Sequence, residues 1–267
     1  MSWKQRLKNI IEFFGLGQWT DRLRFYYQYL RSRKKIKAFR KENADIPLPE
    51  PFMIYETFKL DYQRYLDAGK EDARWIYEES GPFIDLKNKA VLDWGCGPGR
   101  IIRHFPAIEP TAKFFGCDYN KAYVNWNQKN LKGISFAENN LLPPLPYTES
   151  SFDFAYAISI FTHLSEENHY LWIEELHRVL KPGGIFFFTT HGDITKKNLL
   201  EKERVQYDEG SLVVRGNVKE GNRMYTAYHP TPFMQDLLSS RFRILKHRQG
   251  EVKDWGLEQD VWIIQKK

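Results

Sequence analysis

A short apolar run, Ala90-Val91-Leu92-Asp93, leads straight into Trp94-Gly95-Cys96-Gly97-Pro98-Gly99. Three alternating glycines behind a strand leave few architectures open. They let the backbone turn sharply and approach a ligand where any Cβ would clash. A helix is expected after the loop, through about Phe105. Strands are expected over 112–117, 152–160 and 185–190, and a helix over 121–130. Ser165 can cap a further helix running to Leu180, with Glu166 and Glu167 well placed in its first turn. Lys181-Pro182-Gly183-Gly184 then stops that helix. Such alternation implies an α/β fold, a doubly wound and mostly parallel sheet covered by helices. The tail differs. Strands over 242–247 and 261–265 have no clear helix between them, so they are expected to be antiparallel. Residues 191–230 form a β-rich insertion, with a hairpin of 212–215 and 224–228 around Gly221-Asn222, read as an acceptor lid.

In an open parallel sheet, ligands sit beyond the C-terminal ends of the strands. Asp118 closes the second strand about twenty residues after the glycine loop, where an acid suits a ribose diol. Loop and acid together signal a ribonucleoside cofactor. The spacing is G-x-G-x-G, not the dinucleotide G-x-G-x-x-G, and Asp93 precedes it on the strand. An acid there repels a pyrophosphate but suits a cation. S-adenosylmethionine carries a sulfonium and an amino group and no phosphate, so the electrostatics favour it over a nicotinamide dinucleotide.

The stretch from Val91 to Arg100 resembles motif I of the class I S-adenosylmethionine-dependent methyltransferases. Gly116-Cys117-Asp118 resembles that family's strand-two acid. Leu145-Pro146-Tyr147 with Ser151-Phe152-Asp153, Phe161-Thr162-His163-Leu164 and Leu176 through Gly184 resemble its later segments in consistent order. The resemblance covers roughly residues 88–191. It implies a Rossmann-like, seven-stranded sheet with an antiparallel final strand pair, and methyl transfer that releases S-adenosylhomocysteine. Gly95, Cys96, Gly97 and Gly99 would line the cofactor, and Asp93 would face its methionine end. Asp118 would hold the ribose hydroxyls, and Tyr119 would lie against the adenine. Where the family often has an acid, this chain reads Glu138-Asn139-Asn140, and the Asn139 carbonyl would take the adenine amino group. Ala157 would offer backbone to the methionine part. A cofactor-binding module without turnover is the alternative reading.

Transfer from a sulfonium needs alignment first, and a base only where the acceptor must lose a proton. His191 and His163 are the candidate bases, with His229 beside the expected hairpin as a third. Tyr55 and Arg64, in a helix expected over 55–79, would cover the cofactor. Cys96 and Cys117 make no disulfide framework and lack metal-site spacing, so no metal is expected.

Charge divides the chain. Residues 1–41 carry twelve Lys or Arg against Glu12 and Asp21, while the rest sums to −4. The chain therefore reads as a basic helical extension over 1–45 and a methyltransferase domain over 46–267, joined through the stiff Ile46-Pro47-Leu48-Pro49-Glu50-Pro51. The extension shows two apolar stripes, Trp3, Leu7, Ile10, Ile11 and Phe14, then Trp19, Leu23, Tyr26, Tyr27 and Leu30. Both are expected to pack on the body. The alternative is contact of residues 1–41 with an anionic membrane surface, which would bring a lipid-linked acceptor within reach. The acidic body argues against a nucleic-acid groove. A small-molecule acceptor and a cytoplasmic, at most peripherally membrane-bound, protein are the expectations.

Overall fold

The computed structural model describes residues 17–267 apart from 217, 219, 223 and 255. The first expected stripe, Trp3 to Phe14, and the Trp19 side chain lie outside the described residues. The chain forms two compact units, residues 1–68 and 69–267.

In the first unit, α1 (Gly17–Glu42) and α2 (Pro51–Phe58) precede the start of α3 (Tyr62–Ser80). Residues 47–50 are irregular, and Pro51 opens α2, where its missing N–H costs nothing. The single helix expected over 55–79 is broken. Lys59 and Leu60 adopt left-handed φ values of 48° and 70°. Asp61 then takes the free Arg64 N–H on its carboxylate at 3.1 Å and starts α3 afresh. Ile36, Leu48, Ile54, Tyr55, Leu60, Tyr62 and Tyr65 make this unit's core. The expectation for the second stripe is overturned. Leu23, Tyr26, Tyr27 and Leu30 are exposed, and the packed face of α1 is Phe25, Tyr29, Ile36 and Phe39.

The second unit holds β1 (Ala90–Trp94), β2 (Lys113–Asp118), β3 (Ile134–Glu138), β4 (Phe152–Ala157) and β5 (Leu180–Thr190). With β8 (Phe242–Arg248) and β11 (Asp260–Lys266) they build a seven-stranded sheet, ordered β3-β2-β1-β4-β5-β11-β8. The pairs from β3 to β5 are parallel, and β11 runs antiparallel to both neighbours. This is the doubly wound, Rossmann-like architecture with an antiparallel end. Alternation along the strands feeds two cores. Leu92, Trp94, Phe186, Phe188, Trp262 and Ile264 face α6 (Glu166–Val179) and α8 (Thr231–Ser239). Val91, Phe187, Val261 and Ile263 face the opposite layer, with Ala73 and Ile76 of α3 and Val124 of α5 (Lys121–Asn130).

Two local expectations change. The helix after the glycine loop is delayed, because Gly99 takes a left-handed φ of 70°. Only a 3-10 turn, Ile102–His104, and the four-residue α4 (Phe105–Ile108) follow. The insertion is not β-rich. A 3-10 helix (Asp193–Asn198) and α7 (Glu201–Asp208) precede the short antiparallel pair β6 (Val213–Arg215) and β7 (Thr226–Tyr228). A two-stranded ribbon, β9 (Val252–Lys253) and β10 (Gly256–Leu257), links β8 to β11. Among the described residues no helix is long and apolar enough to cross a membrane.

Candidate active site

β1 pairs with β2 on one side and β4 on the other, so the crossovers diverge at the C-terminal end of β1 and open a crevice there. A cleft of about 440 Å³, counting its mouth, occupies that point. Trp94, Gly95, Asp118, Tyr119, Asn139 and His163 line it, with Asn140, Leu141, Ile160, Leu164, Trp172 and Gly221.

The loop is clamped to the sheet by Asp118. One carboxylate oxygen accepts the Gly97 N–H at 2.8 Å and the other accepts the Asn120 N–H at 2.7 Å. Burial nonetheless pushes its pKa up to about 6, the two backbone donors opposing the rise. The three glycines do different work. At Gly95, φ 78°, an added Cβ would lie 2.1 Å from Ile160 Cδ1 and would close the cleft wall. At Gly97 an added Cβ would meet nothing within 4 Å, while the backbone N–H goes to Asp118 and the carbonyl takes Asn127 Nδ2 at 2.8 Å. Gly99 is a packing glycine, since its Cβ would strike Leu131 Cδ1 of the chain leaving α5 at 2.4 Å. Cys96 is buried, with Asn127 Nδ2 at 3.6 Å from its sulfur, and is not among the residues lining the cleft.

Asp93 is almost fully buried at the end of β1 and accepts the Tyr156 hydroxyl at 2.9 Å. Burial raises its pKa to about 7, against the opposing Tyr156 bond and the nearby Arg100 charge. Ala157 ends β4 inside the core, and Ile160 three residues on reaches the cleft in its place. Asn139 is buried against the cleft, its N–H bonded to Asp118 O and its Nδ2 donating to Asn140 O at 2.6 Å. Its Oδ1 is buried without a hydrogen-bond partner. A buried carbonyl oxygen left free is costly unless a ligand donor meets it. Tyr119 is half exposed and donates its hydroxyl to Gly221 O at 2.9 Å, tying the hairpin tip over the cleft.

Two of the three candidate bases share one arrangement. Nδ1 of His163 lies 2.7 Å from Tyr225 O, and Nδ1 of His191 lies 3.1 Å from Ala227 O. A carbonyl only accepts, so both rings carry their proton on Nδ1 and keep a lone pair on Nε2. Burial lowers both pKa values, that of His191 to about 4, where repulsion from His163 adds to the effect. His229 departs from expectation. It is wholly buried, and its Nε2 meets Nε2 of His169 at 2.9 Å. Tyr207, Tyr225 and Tyr228 are also buried. Tyr55 is a core residue of the first unit, and Arg64 is exposed there.

Sequence reasoning missed much of the apolar wall. Trp94 and Trp172 pack at 4.6 Å between ring centroids, and Trp172 Nε1 donates to Leu141 O at 3.1 Å. Trp172 carried the same spacing signal as a core residue.

The residues present fit a ribonucleoside such as that of S-adenosylmethionine: the cleft carries the buried carboxylate of Asp118 and the buried Asn139 Oδ1, which lacks a hydrogen-bond partner, suited to hydroxyl and amino donors, with the Asp93 carboxylate buried next to Trp94 of its wall. Residues 91–184 match a family model described as a methyltransferase domain. A tRNA N(3)-methylcytidine methyltransferase of Schizosaccharomyces pombe is 28% identical over 223 residues, covering 74% of this chain and 69% of that protein. A sterol 24-C-methyltransferase of Gibberella zeae is 34% identical over 268 residues, covering 90% of this chain and 66% of that protein. The chain spans only 23% of a third relative, a tRNA (carboxymethyluridine(34)-5-O)-methyltransferase of Arabidopsis thaliana, at 35% identity over 37% of the chain. The expectation against nucleic acid is thus not carried by the relatives. Among solved structures, an S-adenosylmethionine-dependent methyltransferase from Mesorhizobium loti shares the fold with a TM-score of 0.56 at 16% identity, over 73% of this chain and 98% of that one. Motif, fold and family match agree: the chain belongs to the class I S-adenosylmethionine-dependent methyltransferases.

Proposed function

We propose that this chain methylates an oxygen or nitrogen of a small-molecule acceptor, with His163 or His191 taking the acceptor's proton. The observation that supports it most is the tautomer-locked imidazole of His163 on the wall of an apolar cleft, held by Tyr225 O, with His191 held in the same way by Ala227 O outside the cleft lining. S-adenosylmethionine, when bound, supplies an electrophilic methyl group and a good leaving group. Asp118 and Asn139 would bind its nucleoside end, and Asp93 its cationic end. Trp94, Ile160, Leu164 and Trp172 give the cleft an apolar wall. His163, on the cleft wall, is neutral at pH 7 because its pKa is lowered, so its Nε2 is ready to accept a proton.

A nucleic-acid acceptor is the second reading, favoured by the fission yeast relative and by the nine basic residues of α1. A lipid-linked acceptor is favoured instead by the exposed apolar stripe on that helix. Both cysteines are free and buried, which supports a reducing, cytoplasmic setting. Incubation with methyl-labelled cofactor and separated small-molecule, lipid and RNA extracts tests the acceptor class. Label in the small-molecule fraction, lost in His163→Gln or His191→Gln with cofactor binding kept, is expected. Label in RNA alone would refute the small-molecule reading. Cofactor binding without transfer to any fraction would point to the silent module.

A further inference from the structure

At 3.6 residues per turn, α1 presents two opposed faces. Phe25, Tyr29, Ile36 and Phe39 fall on one and pack into the first unit's core. Leu23, Tyr26, Tyr27 and Leu30 recur at i, i+3, i+4 and i+7 on the other, each between 59% and 67% exposed. Such a stripe needs a partner, because scattered apolar residues are common on surfaces but aligned ones are not. The helix carries nine basic residues and two acids. Arg22 and Arg33 flank the stripe on one side, and Arg24 and Arg31 on the other. Arg31 donates to Tyr27 Oη at 3.0 Å and lies 5.4 Å over its ring, so a guanidinium and a phenol share the rim.

Beside the stripe, Tyr29, Arg33, Lys37 and Arg40 line an open groove with Glu50 and Pro51. Arg40 is anchored there by Pro49 O at 2.5 Å and the Tyr62 hydroxyl at 2.9 Å, with Glu50 at 3.8 Å. Its Nε is buried without a hydrogen-bond partner.

We propose that this face of α1 docks on an anionic lipid bilayer, lying in its plane. Leu23, Tyr26, Tyr27 and Leu30 enter the headgroup boundary, and the flanking arginines and the Arg33–Lys37–Arg40 groove meet lipid phosphates. The composition of the stripe selects this occupant. Arginine and tyrosine would serve RNA equally well, through phosphate contacts and stacking. Exposed leucines gain nothing from a phosphate backbone, whereas acyl chains bury them, and tyrosines favour the headgroup level. The stripe rises only about 10 Å along the helix, so it suits shallow insertion. The proposal does not depend on which acceptor the enzyme uses.

The test is co-sedimentation of the full chain with phosphatidylcholine vesicles, with and without phosphatidylserine, in competition with tRNA. Cofactor titration of the same samples reports folding separately. Binding is expected only where phosphatidylserine is present, weakening with salt. Leu23→Gln with Leu30→Gln leaves the charge unchanged and should weaken it at least about tenfold. Arg33→Gln with Lys37→Gln should weaken it similarly. Three outcomes overturn the proposal: no sedimentation of folded protein, sedimentation indifferent to the leucine pair, or tRNA binding that displaces the vesicles and survives that pair.

Discussion

Cofactor affinity should fall steeply on mild acidification, and the buried acids set by how much. Burial lifts Asp93 to about 7 and Asp118 to about 6, so the folded protein holds their protons where the unfolded chain has lost them. Stability from this source is fully present below about pH 4 and is lost as pH rises through about 6 to 7. A cationic ligand that needs both carboxylates binds the ionised form, so its binding releases protons and strengthens with pH. At about pH 6, Asp93 is about one-tenth ionised and Asp118 about half; at about pH 8 both are essentially ionised. Affinity should therefore drop about twentyfold between about pH 8 and about pH 6, close to 1.8 kcal/mol. Calorimetric titration with S-adenosylmethionine, in buffers of different ionisation enthalpy, measures both the affinity and the protons released. More than one proton should be released per site at the acid end. Asp93→Asn should flatten the profile to about twofold, the share left to Asp118. Affinity that is flat, or that improves on acidification, would refute the reasoning, as would an Asn variant that keeps the full slope.

Other expectations follow from single contacts. His163→Gln and His191→Gln should each cut turnover, about 10²-fold or more for the true base, with cofactor affinity within about twofold; undiminished turnover in both variants under saturating acceptor would discard a base role. Gly95→Ala places a Cβ against Ile160 at a left-handed position, which should cost at least about 1–2 kcal/mol in thermal or urea unfolding. Adding Ile160→Ala should recover only the steric part, and full recovery would show that φ strain is absent. Tyr119→Phe removes the hydroxyl bond to Gly221 O and should speed cofactor release in stopped-flow measurements, by about 0.5–1.5 kcal/mol, with little loss of melting temperature; an unchanged off-rate would mean the hairpin tip does not gate the cleft.

What was legible in the sequence was local. The glycine loop, the Asp118 position and the Ser165 cap each satisfy a backbone need within a few residues, and each stands where the pattern put it. The interior strands β1, β4 and β5 read correctly because burial on both faces leaves continuous apolar runs, whereas the edge strand β3, with only Phe136 buried, carried no such run and was missed. What was hidden depends on partners far along the chain. Two overlapping apolar stripes run along α1, and only the packing of α2 and its neighbours decides which is buried. His229 looked like a base beside a hairpin, but its partner, His169, lies 60 residues away on α6. Leu141, Leu164 and Trp172 carry no sign that separates a cleft wall from a core. Gly99 looked like a cofactor contact because glycine spacing does not say whether the missing Cβ makes room for a ligand or for Leu131.

The hairpin of β6 and β7 joins two tasks that the sequence showed as separate. Its tip covers the cleft: Gly221 donates its N–H to His163 O and accepts the Tyr119 hydroxyl, while the Glu220 carboxylate takes the Ser165 N–H and Asn168 Nδ2 at the start of α6. Its returning edge orients two imidazoles, because Tyr225 O and Ala227 O hold the Nδ1 protons of His163 and His191. Two residues apart on an extended edge, the two carbonyls point the same way, so one strand sets both rings. Under the proposed base role, displacing this strand would cost the site its oriented imidazole as well as its cover, so acceptor access and proton removal would be coupled through one element.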